Sequence, residues 1–245
     1  MWYDRLYQAV QLMSPLPDVL RWLDKNQDRI IYTIKFLREL GLMGKHICEI
    51  GPGGIGLACV QELEAKVDAY DCDEWFKPVY EQFSIPWNYI DLNYPAVIRK
   101  GLYDAILLCE VIEHLARWPA EVLSELRGSL KAGGVLLVTT QNLHRLSNRM
   151  RMLFGKRLFA HFVPEELVMA HLREYTPEEL TFLFQRAGFK EVKWKLLTFS
   201  GIGKSQLIET AYKIICRAFP RLSNYIFCWA LKPNNQDDSL VKRED

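Results

Sequence analysis

The chain carries almost no net charge: 31 basic and 30 acidic side chains leave +1. A global electrostatic case for nucleic acid is therefore missing. It also lacks any apolar run approaching the length of a membrane span. The N-terminus, Met1-Trp-Tyr-Asp-Arg5, does not have the charged-then-apolar layout of a signal peptide. None of the six cysteines (Cys48, Cys59, Cys72, Cys109, Cys216, Cys228) falls in a CxxC pair. Most lie in apolar runs and read as small buried hydrophobes of a reducing compartment, so a cytoplasmic location is expected. There is no internal repeat. What remains is 245 residues, 49% of them hydrophobic and 25% charged. That suits one α/β domain with an elaborated lid.

Residues 1–44 read as a helical extension, with Trp22, Leu23, Ile30, Ile31, Ile34 and Leu37 at near-helical spacing and Gly41 and Gly44 ending the pattern. Strand and helix then alternate: strands at 47–50, 67–70, 87–90, 103–109 and 134–140, and helices at 57–66 and 119–130, the latter with proline in its first turn. Such alternation implies a parallel sheet covered on both faces, with ligands beyond the carboxyl ends of its strands. The second half is less regular. Residues 141–172 show no clear strand and read as a lid. Thr176-Pro-Glu-Glu179 is a strong helix start, ended by Gly188. Segments 189–199 and 224–231 read as strands flanking a helical stretch at 204–219. The expected layout is an extension at 1–44, a main domain at 45–233 and a polar tail at 234–245.

The most telling stretch is Glu49-Ile-Gly51-Pro-Gly53-Gly54-Ile-Gly56, between an apolar strand and an apolar helix. Glycines there allow positive φ and close approach of a ligand, and the helix N-terminus favours an anionic group. Gly51-x-Gly53-x-x-Gly56, with Asp71 twenty residues after Gly51, formally fits a dinucleotide fingerprint. Glu49 argues otherwise. A pyrophosphate would be repelled by a carboxylate two places before the first glycine, whereas S-adenosylmethionine (SAM) brings an amino group and a sulfonium cation.

Several motifs in this order resemble the class I SAM-dependent methyltransferases, over roughly residues 45–233. Glu49–Gly56 resembles the SAM loop. Asp71, with Cys72 beside it, resembles the acid that grips the ribose. Asp91-Leu92 resembles the pair at the adenine, although Asp-Leu-Asn93 is also good turn chemistry. Tyr103-Asp-Ala-Ile-Leu-Leu-Cys-Glu110-Val-Ile-Glu113-His114-Leu115 resembles the fourth-strand signature, Leu130-Lys-Ala-Gly133-Gly134 the turn before strand five, and His171-Leu-Arg-Glu-Tyr-Thr176 a late segment of small-molecule members. The resemblance implies a Rossmann-like seven-stranded, mostly parallel sheet whose last strand, 224–231, runs antiparallel between strands five and six. One departure is Ile55, which stands where the third glycine usually falls.

Glu110, Glu113 and His114 lie within five residues at the end of strand four. Two carboxylates and an imidazole could hold a divalent metal such as Mg²⁺, and His171 could reach the same place from the lid. The set resembles metal-using ubiquinone-pathway O-methyltransferases and small-RNA 2′-O-methyltransferases. The same residues also allow Glu110 to line the methionine end of SAM, and His114 to act as general base or as a structural hydrogen-bonder. His114, Glu113 and His171 are the catalytic candidates.

Arg145, Arg149, Arg151, Lys156 and Arg157 crowd the lid, interleaved with Met150, Met152, Leu153, Phe154 and Phe159, and no acid occurs from 141 to 163. An anionic small-molecule acceptor is one reading: a saccharide, a nucleotide-sugar or a lipid-linked precursor. Peripheral contact with an anionic membrane is another, and a helix with apolar residues inward and arginines solvated is the plain one. No Asn/Asp-Pro-Pro-Tyr motif of amino-group methyltransferases follows strand four, which points to an oxygen acceptor. The alternatives are an NAD-binding enzyme, an RNA ribose 2′-O-methyltransferase and a non-catalytic partner subunit.

Overall fold

A computed structural model describes residues 2–13, 17–95, 98–159, 171–199 and 205–234. Two helices come first, α1 (Trp2–Met13) and α2 (Pro17–Glu39). The alternating unit follows: β1 (His46–Ile50), α3 (Ile55–Leu63), β2 (Lys66–Asp71), α4 (Lys77–Gln82), β3 (Trp87–Tyr89), β4 (Tyr103–Cys109), a 3-10 turn (Ile112–His114), α5 (Pro119–Ser129) and β5 (Leu130–Gln141). Beyond it lie α6 (Leu146–Leu153), α7 (Pro177–Arg186), β6 (Lys193–Leu197), α8 (Gln206–Ala218) and β7 (Tyr225–Leu231).

The strands form one sheet in the order β3-β2-β1-β4-β5-β7-β6. Only β7 runs against its neighbours, pairing antiparallel with β5 (Leu137 opposite Trp229) and with β6 (Lys195 opposite Phe227). The expected antiparallel insertion is thus present. β4 shows why the sheet is two-sided. Ala105 and Leu107 enter the core beneath α2 and α3, while Ile106 and Leu108 enter the opposite core with Leu123 of α5 and Phe184 of α7. Both faces of a central parallel strand are buried, so its sequence reads as a continuous apolar run.

Boundaries differ from the sequence reading where local chemistry intervenes. The helix expected to reach residue 66 ends at Leu63, because Glu64 adopts the left-handed conformation (φ 51°) and turns the chain into β2. The strand expected from 189 begins only at Lys193, after Gly188 (φ 89°) has capped α7 and Phe189 has been buried. The short helix α4 went unread: six residues with a proline near the start give too little periodicity.

The carboxyl ends of β1, β2, β4 and β5 converge on one rim. Residues 171–176 dock there: Glu113 O accepts from Leu172 N at 2.8 Å, and Leu143 N donates to Tyr175 O at 2.9 Å. Thr176 then starts α7 with a capping box. Its Oγ1 accepts from Glu179 N at 3.1 Å, while its own N–H donates to Glu179 Oε2 at 2.9 Å. Removing an N-cap hydroxyl costs roughly 0.5–2 kcal/mol. Thr176→Ala is therefore expected to lower unfolding stability by about 1 kcal/mol in a urea titration, and Thr176→Ser to keep most of it.

Candidate functional site

The glycine turn is held from both sides. Gly51 has φ 72°, and a Cβ on it would stand 2.3 Å from Val111 Cγ2, just past the end of β4. Gly53 lies under the indole of Trp22, which a Cβ would meet at 2.4 Å. So α2, from the N-terminal extension, lies directly on the turn.

Glu49 sits beneath the turn rather than open to it. Its side chain is 0% exposed. Oε2 accepts from Tyr80 Oη at 2.7 Å, and Oε1 from Gly53 N at 3.5 Å. Gly56 is the glycine packed on this carboxylate, since a Cβ there would lie 2.2 Å from Oε2. Gly54 N donates to the same Tyr80 Oη at 3.0 Å. Burial pushes the Glu49 carboxyl up to about 7, against the hydrogen bonds from Tyr80, Gly56 and Gly53. In this arrangement Glu49 braces the loop from beneath.

Asp71 ends β2. Burial raises its pKa, opposed by the amides of residues 73 and 72, and its Oδ1 accepts from Asp73 N at 3.2 Å. Cys72 beside it is exposed, with its thiol pushed up to about 11 by partial burial and by Asp71. Asp91 Oδ1 accepts from Asn93 N at 2.9 Å, so its carboxylate closes an Asx turn; Leu92 is buried.

Glu110 is the hinge of the site. Its φ is +58°, a left-handed conformation that non-glycine residues adopt only where the surroundings over-determine it. Three contacts do so: Glu110 N donates to Thr139 O at 2.9 Å, its Oε1 accepts from Thr139 Oγ1 at 3.1 Å, and Arg29 Nη1 approaches Oε1 at 3.0 Å.

Arg29 is the residue that the sequence reading missed. It belongs to α2, is 3% exposed, and lies between the rings of Trp22 and Tyr225 at 5.4 and 5.6 Å. Burial opposes its charge, but the combined attraction of Glu110, Tyr225, Cys109 and Glu113 leaves its pKa above the ordinary value. Its Nε makes no hydrogen bond. A buried guanidinium with a spare donor beside the glycine turn has the chemistry that suits a carboxylate.

Glu113, 0% exposed, lies behind Glu110. Oε2 accepts from Thr140 Oγ1 at 2.9 Å, and Oε1 is buried with no hydrogen-bond donor. Burial, then the nearby Glu110 carboxylate, raises its pKa well above the usual range. His171 Nε2 stands 4.0 Å from that Oε1, and His171 Nδ1 stands 3.9 Å from Glu174 Oε1. The His114 ring meets the His171 ring edge-on at 4.8 Å. Ligand atoms of Glu113, His114 and His171 all lie within 4.8 Å of one another. The sequence names Glu110, Glu113 and His114 as metal candidates; the fold exchanges Glu110, already engaged by Arg29, for His171.

A family model described as a methyltransferase domain matches residues 19–193. The chain belongs to the class I SAM-dependent methyltransferases. Within that family it is 30% identical to the ubiquinone biosynthesis O-methyltransferase of Dinoroseobacter shibae, over 83% of each chain. Among solved structures, a SAM-dependent methyltransferase from Archaeoglobus fulgidus matches with TM-score 0.57 at 17% identity, over 86% of this chain and 99% of that one. One from Thermotoga maritima matches with TM-score 0.59 at 16% identity, over 93% and 99%. The enzyme is thus SAM-dependent, and the dinucleotide alternative falls away.

His46 is structural: Nε2 lies 3.0 Å from Asp68 Oδ2, which also accepts from Tyr103 Oη at 2.9 Å. In the lid, Arg145 is committed to Glu174, Nη2 to Oε1 at 2.7 Å, and Asn148 Nδ2 donates to the other oxygen, Oε2, at 2.6 Å. His161 lies outside the described residues. Among the described residues, no helix is long and apolar enough to cross a membrane.

Glu49 makes a testable demand on stability. The folded enzyme keeps its proton up to about pH 7, whereas an ordinary glutamate loses it at 4.5. The folded state then binds more protons than the unfolded state across that window, so stability falls as pH rises through it. Glu49→Gln is expected to make this fall shallower, by up to roughly 1.4 kcal/mol per pH unit. Urea midpoints at several pH values between about 5 and 7 would check it, and an unchanged slope would remove Glu49 from the account.

Proposed function

We propose that this methyltransferase moves the methyl group of SAM to a hydroxyl oxygen of a small-molecule acceptor. The observation that carries the reading is the convergence of the buried Glu113 with His114 and His171 at the carboxyl end of β4. That is where acceptor and methyl meet in a sheet of this type. The name of the Dinoroseobacter relative, an O-methyltransferase, supports an oxygen acceptor.

The residues present suit SAM. Arg29 has an unused buried donor for its carboxylate, and Asp71 ends the strand where a ribose diol would be accepted. SAM supplies a methyl already activated on a sulfonium, so the protein contributes alignment and exclusion of water. As the oxygen–methyl bond forms and the methyl–sulfur bond breaks, the hydroxyl must lose a proton. His114 and His171 are the bases placed to take it. Glu113 holds His171 from one side and Glu174 holds it from the other, fixing the ring over the end of β4.

The same three side chains fit a divalent cation, since Glu113 Oε1 is a buried carboxylate oxygen with no donor and two imidazoles stand next to it. Such a cation would orient the acceptor oxygen and lower its pKa. Among the acceptor classes, an anionic saccharide or nucleotide-sugar loses part of its support, because Arg145 is already neutralised by Glu174. A lipid-linked hydroxyl keeps its support.

Calorimetric titration with SAM and S-adenosylhomocysteine, with and without Mg²⁺, is the test. Micromolar binding, about −8 kcal/mol, is expected. Arg29→Lys and Asp71→Ala should each weaken it by roughly 1–3 kcal/mol through a lost charge-assisted bond. His114→Ala should leave binding intact and slow turnover on a hydroxyl acceptor. Full affinity in both Arg29→Lys and Asp71→Ala would contradict the cofactor assignment. Activity that survives chelation would leave His114 and His171 as bases alone.

A further inference from the structure

Helix α8 is more than the fold requires. Antiparallel neighbours such as β6 and β7 can be joined by a turn of a few residues. Here residues 198–224 intervene, and they carry a 13-residue helix. Among its residues only Tyr212 and Cys216 are buried, and both reach Leu222 O, at 3.2 and 3.3 Å. The rest of its apolar side faces outward. Leu207, Ala211, Ile214 and Ala218 follow one another at helical spacing, flanked by Ile208, Ile215 and Phe219. Leu207 is 80% exposed and Ile214 65%. Arg217 flanks this stripe, whereas Lys213 and Glu209, the helix's one acid, stand four residues apart on the side away from it.

Helix α6 repeats the pattern. It buries only Asn148, through Leu143 O and Glu174, and exposes Met150, Met152, Leu153 and the following Phe154. It has two arginines, Arg149 and Arg151, and no acid; Lys156 follows it. The plain expectation of apolar residues packed inward is therefore reversed. Both helices stand at the carboxyl rim of the sheet, α6 following the end of β5 and α8 joining the end of β6 to the start of β7.

We propose that α6 and α8 together form a membrane-docking face that seats the enzyme on an anionic lipid surface with its active-site rim toward the bilayer. Exposed Leu, Ile, Met and Phe side chains between Lys and Arg are the chemistry of a helix lying in the headgroup boundary. The charge selects among occupants. A second copy using the same face in a two-fold contact would set Arg149, Arg151 and Arg217 against their own equivalents, whereas an anionic surface complements them. The proposal does not depend on which acceptor is methylated.

Flotation of the full chain with phosphatidylcholine vesicles, and with vesicles also containing phosphatidylglycerol, tests it. The enzyme should float with the anionic vesicles and not with the neutral ones, and added salt should weaken the binding. Leu207→Asp/Ile214→Asp, at positions already in solvent, should abolish flotation while leaving S-adenosylhomocysteine affinity and melting temperature unchanged. Arg151→Glu/Arg217→Glu should lower partitioning on the order of tenfold. Wild-type protein that stays with neither vesicle type would overturn the proposal. So would flotation unaffected by both variants, or a dimer in solution that the aspartate pair disrupts without any lipid binding.

Discussion

The site depends on one buried contact, Arg29 against Glu110. The guanidinium comes from the N-terminal helix pair and the carboxylate from the residue that ends the central strand, 81 positions later. Neither charge would be stable there alone, since a buried ion left without its partner costs several kcal/mol. The pair therefore fixes α2 over the glycine turn, with Trp22 on Gly53, and holds Glu110 in its left-handed conformation. That conformation precedes the next four residues, in which Glu113 turns into the core and His114 toward His171. A contact that costs stability by desolvation is retained because it assembles the cofactor side and the acceptor side at once.

The two carboxylates nearest the glycine turn divide the work. Glu49 is wholly enclosed and gathers the loop amides and Tyr80 around itself, so its effect on a cofactor is transmitted through backbone shape. Glu110 is partly open and already paired, so it shares its cation. Arg29 answers two carboxylates in turn: Glu110 before the cofactor arrives, and the cofactor's own in the account given above. The acceptor side is organised differently. Glu113, His171, Glu174, Arg145 and Asn148 form a chain of polar contacts that ties the rim of β4 to the lid helix. The lid is anchored by charge and hydrogen bonds, which leaves its apolar side chains outside.

Much of this was legible before the fold. The glycine turn, the alternation of strands and helices and the capping box at Thr176 follow from local chemistry, because each is set by residues within a few positions of one another; the antiparallel final strand followed from the resemblance instead. Arg29 was not legible. An arginine in the middle of an amphipathic helix reads as a solvated face, and only the docking of α2 on the sheet decides otherwise. The position of Glu49 was half legible: its place before the first glycine marks the cofactor correctly, but the side of the loop it occupies is fixed by Tyr80, 31 residues away. His171 was named from the sequence as a candidate, yet its union with Glu113 requires residues 171–173 to hydrogen-bond to the 3-10 turn after β4. Periodicity cannot foresee such a pairing. The outward apolar face of α6 was one of the readings of the lid, whereas that of α8 escaped for the converse reason, since an amphipathic pattern is normally evidence of packing.

The most direct measurement is a crystal structure of the enzyme with S-adenosylhomocysteine. The account predicts the ligand's carboxylate on Arg29, its ribose hydroxyls on Asp71 and its sulfur facing the Glu113, His114 and His171 cluster, with Glu49 still enclosed beneath the loop. A ligand whose carboxylate lies away from Arg29, or an α2 displaced from Gly53 with the Arg29 and Glu110 contact broken and unused, would contradict it.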